Sequence, residues 1–321
     1  MAGTVLITGA NGSLGLPFVN HLLTTSPSHT LIAAVRNVSP ASDKNTAHLS
    51  RIISSHPAAR ASIEHLDLSS LANVRSFANN VAHRVASGDL PPIAAIVCNA
   101  FTWSLNGQLA TPDGFETTFQ VSHLGHYLLV LKLLGSMSPT GRVVMLGSTA
   151  HYPDRPNPLS KLVAGLPEDI EELAKPTADK PGDEHDRGFQ RYGNAKLAND
   201  PKLSSITATA MDPGGIIDSR AHTQQRLPVR AVMAVANALV PLLRHITTDM
   251  RRAADSANDL VELSIGDRFR GTRGYYVGVK ADKVAEASKD EEDCERLWGA
   301  CWEWTGMVAG ETVLTNAEPR D

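Results

Sequence analysis

Cysteine is scarce in this chain of 321 residues: Cys98, Cys294 and Cys301 stand alone, without paired spacing. That excludes a disulfide framework, gives no metal-ligand pattern, and suits reduced thiols in the cytoplasm. Aromatic residues make up only 5%. No block of one charge stands out. Thirty Lys and Arg face 34 Asp and Glu, a formal net charge of −4, so no basic surface for nucleic acid is expected. Long apolar runs are missing too. The longest, Ala231–Leu243, contains Asn237 and Pro241 and falls short of the ~20 apolar residues of a membrane span. A buried helix is expected there, with docking on a membrane surface as the lesser alternative and no stable insertion. The apolar stretch Thr4–Thr8 has no basic segment before it, unlike a signal peptide.

What is present is alternation. Short β-branched runs occur at Thr4–Thr8, Thr30–Val35, Ser62–Leu66, Ile93–Val97, Arg142–Gly147, Ile206–Met211 and Gly274–Gly278. The first six are nearly continuous apolar runs, as in parallel strands covered on both faces. Between them, Val74, Phe77, Ala78, Val81 and Val85 recur at helical steps, and Thr111-Pro112 reads as the cap and first turn of another helix. The pattern predicts an α/β fold with a doubly wound parallel sheet and right-handed crossovers. One segment breaks the rhythm. Asp154–Arg191 is rich in proline and charge. Its apolar part, Leu159–Leu166, is expected to pack, and Lys175–Arg187 to form a solvated excursion.

The chemistry starts at the end of the first strand, Thr8-Gly9-Ala10-Asn11-Gly12-Ser13-Leu14-Gly15. Gly9, Gly12 and Gly15 let the backbone turn and approach a pyrophosphate, and the next helix offers free N–H groups. A tight turn without ligand is the plainer alternative, but the strand–loop–helix context favours a dinucleotide. The second strand ends at Arg36, with no acid beside it. That suits the 2′-phosphate of NADP over the free hydroxyl of NAD, against the alternative of a surface arginine. Asp67, after the third strand, suits the adenine edge or a helix cap. Tyr192 and Lys196 stand one helical turn apart, so a cation can lower the pKa of a phenol that serves as general acid or base. Ser148 lies at the carboxyl edge of the sheet, where a hydroxyl can polarise a carbonyl or simply cap a helix.

Taken in order, these motifs resemble the short-chain dehydrogenase/reductase superfamily over about Thr4–Ser219. Ser148, Tyr192 and Lys196 match its catalytic set, Thr8–Gly15 its cofactor loop, Asp67 its aspartate after the third strand, Asn99-Ala100 its Asn-Ala-Gly, and Pro213-Gly214 its Pro-Gly. The stretch His123–Tyr127 and Leu297-Trp298 look most like the retinol-dehydrogenase-like branch and its fungal relatives in secondary metabolism. The resemblance implies a Rossmann fold and hydride transfer between NADPH and a small lipophilic carbonyl or alcohol. Tyr192 would exchange the proton, Ser148 would hold the substrate oxygen, and Lys196 would bind the nicotinamide ribose. Ser13, Leu14, Asn99 and Ile216 would adjoin the cofactor, and Lys132 either supports it or is an ordinary helix-surface lysine. Residues 1–219 would form the cofactor and catalytic core, and residues 220–321 a substrate-binding cap on the same domain.

Four positions depart from the family. Ser13 replaces a glycine of the loop, Phe101 replaces the glycine of Asn-Ala-Gly, and Ser122 stands where a catalytic asparagine is usual. Asp200-Pro201 stops the Tyr192 helix near Asn199, several turns early, because proline removes a donor and disfavours the preceding helical residue. That helix often forms a dimer interface, so the oligomeric state is left open. Loss of its later turns predicts compensation by the C-terminal part, weak stability, or an internal piece absent from the chain, the last being the preferred reading. The competing functional expectation is a cofactor-binding relic without efficient redox turnover.

Overall fold

The apolar runs become strands because they are rich in branched side chains and end at turn-forming residues. The structure is a computed structural model that describes residues 2–154, 160–198, 207–216, 218–221 and 250–314, with residues 231 and 235. Its strands are β1 (Thr4–Thr8), β2 (Thr30–Val35), β3 (Arg60–His65), β4 (Ile93–Cys98), β5 (Met137–Leu146), β6 (Thr207–Asp212), β7 (Gly215–Ile216), β8 (Met250–Arg251), β9 (Gly274–Val277) and β10 (Lys280–Asp282). Eight form one sheet in the order β10-β9-β6-β5-β4-β1-β2-β3, parallel except for β10, and β7 pairs with β8 alone. The order reverses at β1, so β1 and β4 splay apart at their carboxyl ends and open a crevice there.

Alternate residues of the central strands feed two cores. Leu6, Ile96 and Met145 pack under α3 (Leu71–Ala86) and α5 (Gly125–Leu133). Val5, Ile7, Val97 and Val144 pack under α1 (Gly15–Thr25) and α8 (Ala253–Ile265). Phe18 and Leu22 of α1 are fully covered, each a gain of about 2 kcal/mol over exposure. Asp43 caps α2 (Lys44–Ser54) and Ser70 caps α3 through side-chain oxygens that accept first-turn N–H groups. Arg142 of β5 donates to the Leu263 and Gly266 carbonyls at the end of α8, where the helix dipole favours a cation.

Two expectations change. Thr111-Pro112 does not open a helix. Thr111 lies in a turn whose flanks, Ala110 and Glu116, form a β-bridge, and α4 (Thr117–Phe119) starts after the Glu116 cap. It runs through a π turn, Gln120–Leu124, into α5. Lys175–Arg187 is not simply solvated. Asp179 is covered by the bidentate fork of Arg191, at 2.6 and 2.9 Å, and Glu184–Arg187 already belong to α7 (Glu184–Leu197). Of the earlier part, Ala164 is buried and Leu166 packs on the core, near the short α6 (Glu171–Ala174).

The described part of the Tyr192 helix runs to Leu197, with Ala198 as its cap, and Asn199 and Asp200-Pro201, where the early stop is expected, lie outside the described residues. The C-terminal helix α9 (Glu291–Thr305) packs against the same region. Trp298 meets the Tyr127 ring edge-on at 5.1 Å, Trp304 meets Phe119 at 5.7 Å, and Leu297 and Cys301 share a cluster with Ala195 and Ala198. An apolar cavity of about 100 Å³ is left beside Leu197, Ala198, Leu297 and Trp298. Among the described residues no helix is long and apolar enough to cross a membrane. Ala231–Leu243 lies outside them but for residues 231 and 235.

Candidate active site

A cleft with two lobes, of about 350 and 660 Å³, follows the carboxyl edge of the sheet. Gly9, Asn11, Phe101 and Arg220 line both. The glycine-rich loop forms one wall. Gly9 has φ +63°, a left-handed conformation that side chains disfavour. A Cβ on Gly15 would stand 2.5 Å from the Gly9 carbonyl and 2.6 Å from that of Ala10, so the loop can fold against α1 only with glycine there. Asn99 fixes the loop from β4, donating its amide to the Thr8 and Gly9 carbonyls at 2.9 and 3.1 Å. The Thr8 hydroxyl accepts from the Asn99 and Ala100 N–H groups and meets His126 Nε2 at 2.9 Å. This bare backbone at a helix N-terminus fits a dinucleotide diphosphate.

The smaller lobe is bounded by Gly12, Ser13, Leu14, Tyr192, Lys196 and Ile216. Ser148 follows β5 and caps a short 3₁₀ turn, its hydroxyl accepting the Ala150 N–H at 3.2 Å. The Ser148 hydroxyl also lies near enough to the Tyr192 phenol to pull its pKa down. Lys196 is buried, donates to the Leu146 carbonyl at 2.7 Å, and lies 5.6 Å from the Tyr192 ring centre. Burial pulls the Lys196 pKa down to about 8, against the pull of Cys98 and Asp212. Burial also pushes Tyr192 up to about 12, which Ser148 opposes and Asp212 reinforces. The net shift of the phenol is thus upward, opposite to the expectation from Lys196, because desolvation outweighs the stabilising contacts. Phe101 and Trp103 flank the Tyr192 ring at 5.7 and 5.1 Å and give this end of the cleft an aromatic wall.

The larger lobe collects Arg36, Asp67, Lys44 and Asn45. Arg36 is exposed at the end of β2. Asp67 lines this lobe and braces its own turn, Oδ1 accepting from the Ser69 N–H and hydroxyl, but it does not cap α3, since Ser70 holds that place. Lys132 departs from the expectation of cofactor support. Its ammonium pairs with Glu311 at 2.9 Å, where the α5 surface meets the C-terminal segment, and it lines neither lobe. Ser122, in the π turn, exchanges 3.4 Å contacts with the Thr102 backbone, while its carbonyl meets His126 Nδ1 at 3.3 Å.

Two further residues are not evident from the sequence. Asp212 closes β6, is buried, and accepts the Gly214 N–H at 2.7 Å. Its second oxygen lacks a hydrogen bond, and burial raises its pKa. Arg220 reaches the glycine-rich loop from beyond Pro213-Gly214. Only an acid before a Pro-Gly turn marks the first in the sequence, and nothing marks the second.

A doubly wound sheet with a dinucleotide-type cleft and a serine, tyrosine and lysine gathered at one end defines a nicotinamide-dependent oxidoreductase class. A short-chain dehydrogenase, iccH, from Talaromyces variabilis is 30% identical, across 97% of this chain and 98% of its own length. The chain belongs to the short-chain dehydrogenase/reductase family and is an oxidoreductase of that family. Protochlorophyllide reductase A from Oryza sativa subsp. japonica is 26% identical over 95% of this chain and 81% of its own. The family description "AcuH dehydrogenase domain" matches residues 220–314. The crystal structure of the angucycline C-6 ketoreductase LanV with bound NADP shares the fold, at TM-score 0.58 and 17% identity over 86% of this chain and 93% of that one. The iccH pairing runs over 366 positions, whereas 97% of this chain is about 311 residues. About 55 positions are therefore filled in the relative alone.

Proposed function

We propose that this chain is an NADP-dependent reductase acting between NADPH and a small lipophilic carbonyl or alcohol. The observation that carries the reading is Tyr192 and Lys196 together at one end of the cleft, with Ser148 at the end of β5 near enough to act on the Tyr192 phenol. A nicotinamide nucleotide bound there supplies the hydride. Gly9, Gly12, Ser13, Leu14, Gly15 and Asn99 form or brace its diphosphate wall, Ile216 borders its nicotinamide end, and Arg36 with Asp67 receives its adenosine end. Ser148 holds the substrate oxygen by its hydroxyl. Tyr192 delivers the proton from Oη, and its raised pKa keeps it protonated for reduction near neutral pH. Lys196 orients the ribose and sets the charge beside the phenol. Phe101 and Trp103 favour an apolar substrate.

NADP specificity rests on Arg36, with the NADP-bound LanV structure in support. A role in secondary metabolism draws on the resemblance to fungal relatives, of which the Talaromyces variabilis dehydrogenase is one. Residues 220–321 act as the substrate-binding cap of the core formed by 1–219. An internal piece missing near Asn199 would shorten the helix there, and the iccH pairing leaves about 55 positions unmatched somewhere along this chain. Ser122 favours a second reading, cofactor binding without efficient turnover. Tyr192→Phe tests both. The variant should lose more than ~10²-fold in NADPH-dependent carbonyl reduction while keeping its NADPH affinity. Retained turnover contradicts the assignment, and a wild-type chain that binds NADPH but reduces nothing in a carbonyl panel establishes the second reading.

A further inference from the structure

Arg220 follows the Pro213-Gly214 turn and β7, and its side chain crosses the waist of the cleft. Its backbone N–H donates to Ser13 Oγ at 3.0 Å and its Nε to the same oxygen at 3.3 Å. One terminal nitrogen donates to the Asn11 carbonyl at 2.6 Å and the other to Asn45 Oδ1. These contacts place a guanidinium between two helix N-termini. Asn11 and Ser13 lie in the loop that leads into α1, and Asn45 lies in the first turn of α2. Both ends carry partial positive charge, so a cation held between them is unfavourable until an anion enters.

Asp43 supplies some compensation and opposes the downward pull of burial on the Arg220 pKa. That carboxylate is already engaged, however, with the Asn45 N–H at 2.7 Å and the Asn11 amide at 3.2 Å. Ser13 adds a second, independent sign. It stands where the resemblance leads one to expect glycine, and its hydroxyl is the hook that holds Arg220. The departure in the loop and the arginine more than two hundred residues away thus explain each other.

We propose that Arg220 is a diphosphate clamp: its fork leaves the Asn11 carbonyl and closes over the glycine-rich loop onto the diphosphate of the bound dinucleotide. The proposal rests on the nicotinamide-nucleotide reading of the cleft. It makes Arg220 a determinant of cofactor affinity shared by NADPH and NADH, whereas Arg36 separates the two. A guanidinium is suited to this task because its planar fork can bond two phosphate oxygens at once.

The test is a fluorescence titration of the full chain with NADPH and with NADH, and displacement of NADPH by 2′-AMP, for wild type, Arg220→Ala and Arg220→Lys. A lost charge-assisted hydrogen bond corresponds to a ~10- to 100-fold rise in Kd. Arg220→Ala should show that rise with both dinucleotides alike and little change for 2′-AMP, which has no diphosphate. Arg220→Lys, which keeps the charge but loses the fork, should fall between. Unliganded melting midpoints verify that both variants are folded, and if the alanine variant is not, the lysine variant carries the test. Unchanged affinity in either folded variant overturns the clamp, and so does a loss confined to NADPH, which would put Arg220 on the 2′-phosphate. If wild type binds neither dinucleotide, the reading of the cleft itself fails, and the clamp with it.

Discussion

Tyr192 and Lys196 are pushed in opposite directions by the same cause. Burial favours the neutral form of each, so the phenol rises to about 12 and the ammonium falls to about 8. The pH dependence follows from the sign. Below pH 8 Lys196 is charged and Tyr192 is protonated, the pair that carbonyl reduction uses. Above pH 8 Lys196 loses its proton while Tyr192 keeps its own. We predict that kcat/KM for reduction is level below about pH 8 and falls toward tenfold per unit above it. A profile flat to pH 10 contradicts this. At this scale the proposed reactive residues could be picked out because each stands at a strand end or on one helix turn. The upward shift of Tyr192 was not, because desolvation depends on what other segments cover, here Phe101, Trp103 and Phe189. Arg220 was hidden for a related reason. Its partners Asn11, Ser13 and Asn45 are far from it in sequence, and no periodicity connects them.

At the scale of elements, the helix that carries Tyr192 is held at its middle by charge as well as at its end by packing. Arg191, next to Tyr192, bonds both oxygens of Asp179 in the insertion and lies 3.6 Å from Glu116, the cap of α4. Burial raises the Glu116 pKa, while the Phe119 and Thr118 N–H groups and Arg191 pull it down. The cluster ties α7, the insertion and the start of the helix bearing Ser122 at one point. Removing one partner of a buried pair leaves the other charge uncompensated. Asp179→Ala should therefore lower stability by about 3 kcal/mol in denaturant unfolding. A loss below ~0.5 kcal/mol, the range of ordinary surface changes, shows that the pair is not a buried one. The sequence pointed to the strands. It pointed to a solvated Lys175–Arg187 because charge density reads as exposure, and it cannot show that an aspartate has a buried arginine waiting for it. Thr111-Pro112 misled for a similar reason, since its cap-like residues serve a turn that Asp113 and Gly114 complete.

Across the whole molecule, the C-terminal part serves both the sheet and its cover. β9 extends the sheet beyond β6, α8 packs on α1, and α9 brings Trp298, Trp302 and Trp304 against the α5 side. Gly274–Val277 was recognisable as a strand, but the covering role of α9 was only one of three expectations. Apolar stripes at helical spacing do not say which face they meet. Arg75 and Lys132 both bind Glu311, which fixes the C-terminal segment to α3 and α5 and explains why Lys132 is absent from the cleft. The central claim is that this assembly builds a cleft for NADP. The measurement that tests it most directly is the melting midpoint of the full chain alone, with NADPH and with NADH. A ligand at 100 times its Kd adds roughly 2.7 kcal/mol of stability. We predict a clear rise with NADPH and a smaller one with NADH at the same concentration. No shift with either, from a chain that melts cooperatively, contradicts the account.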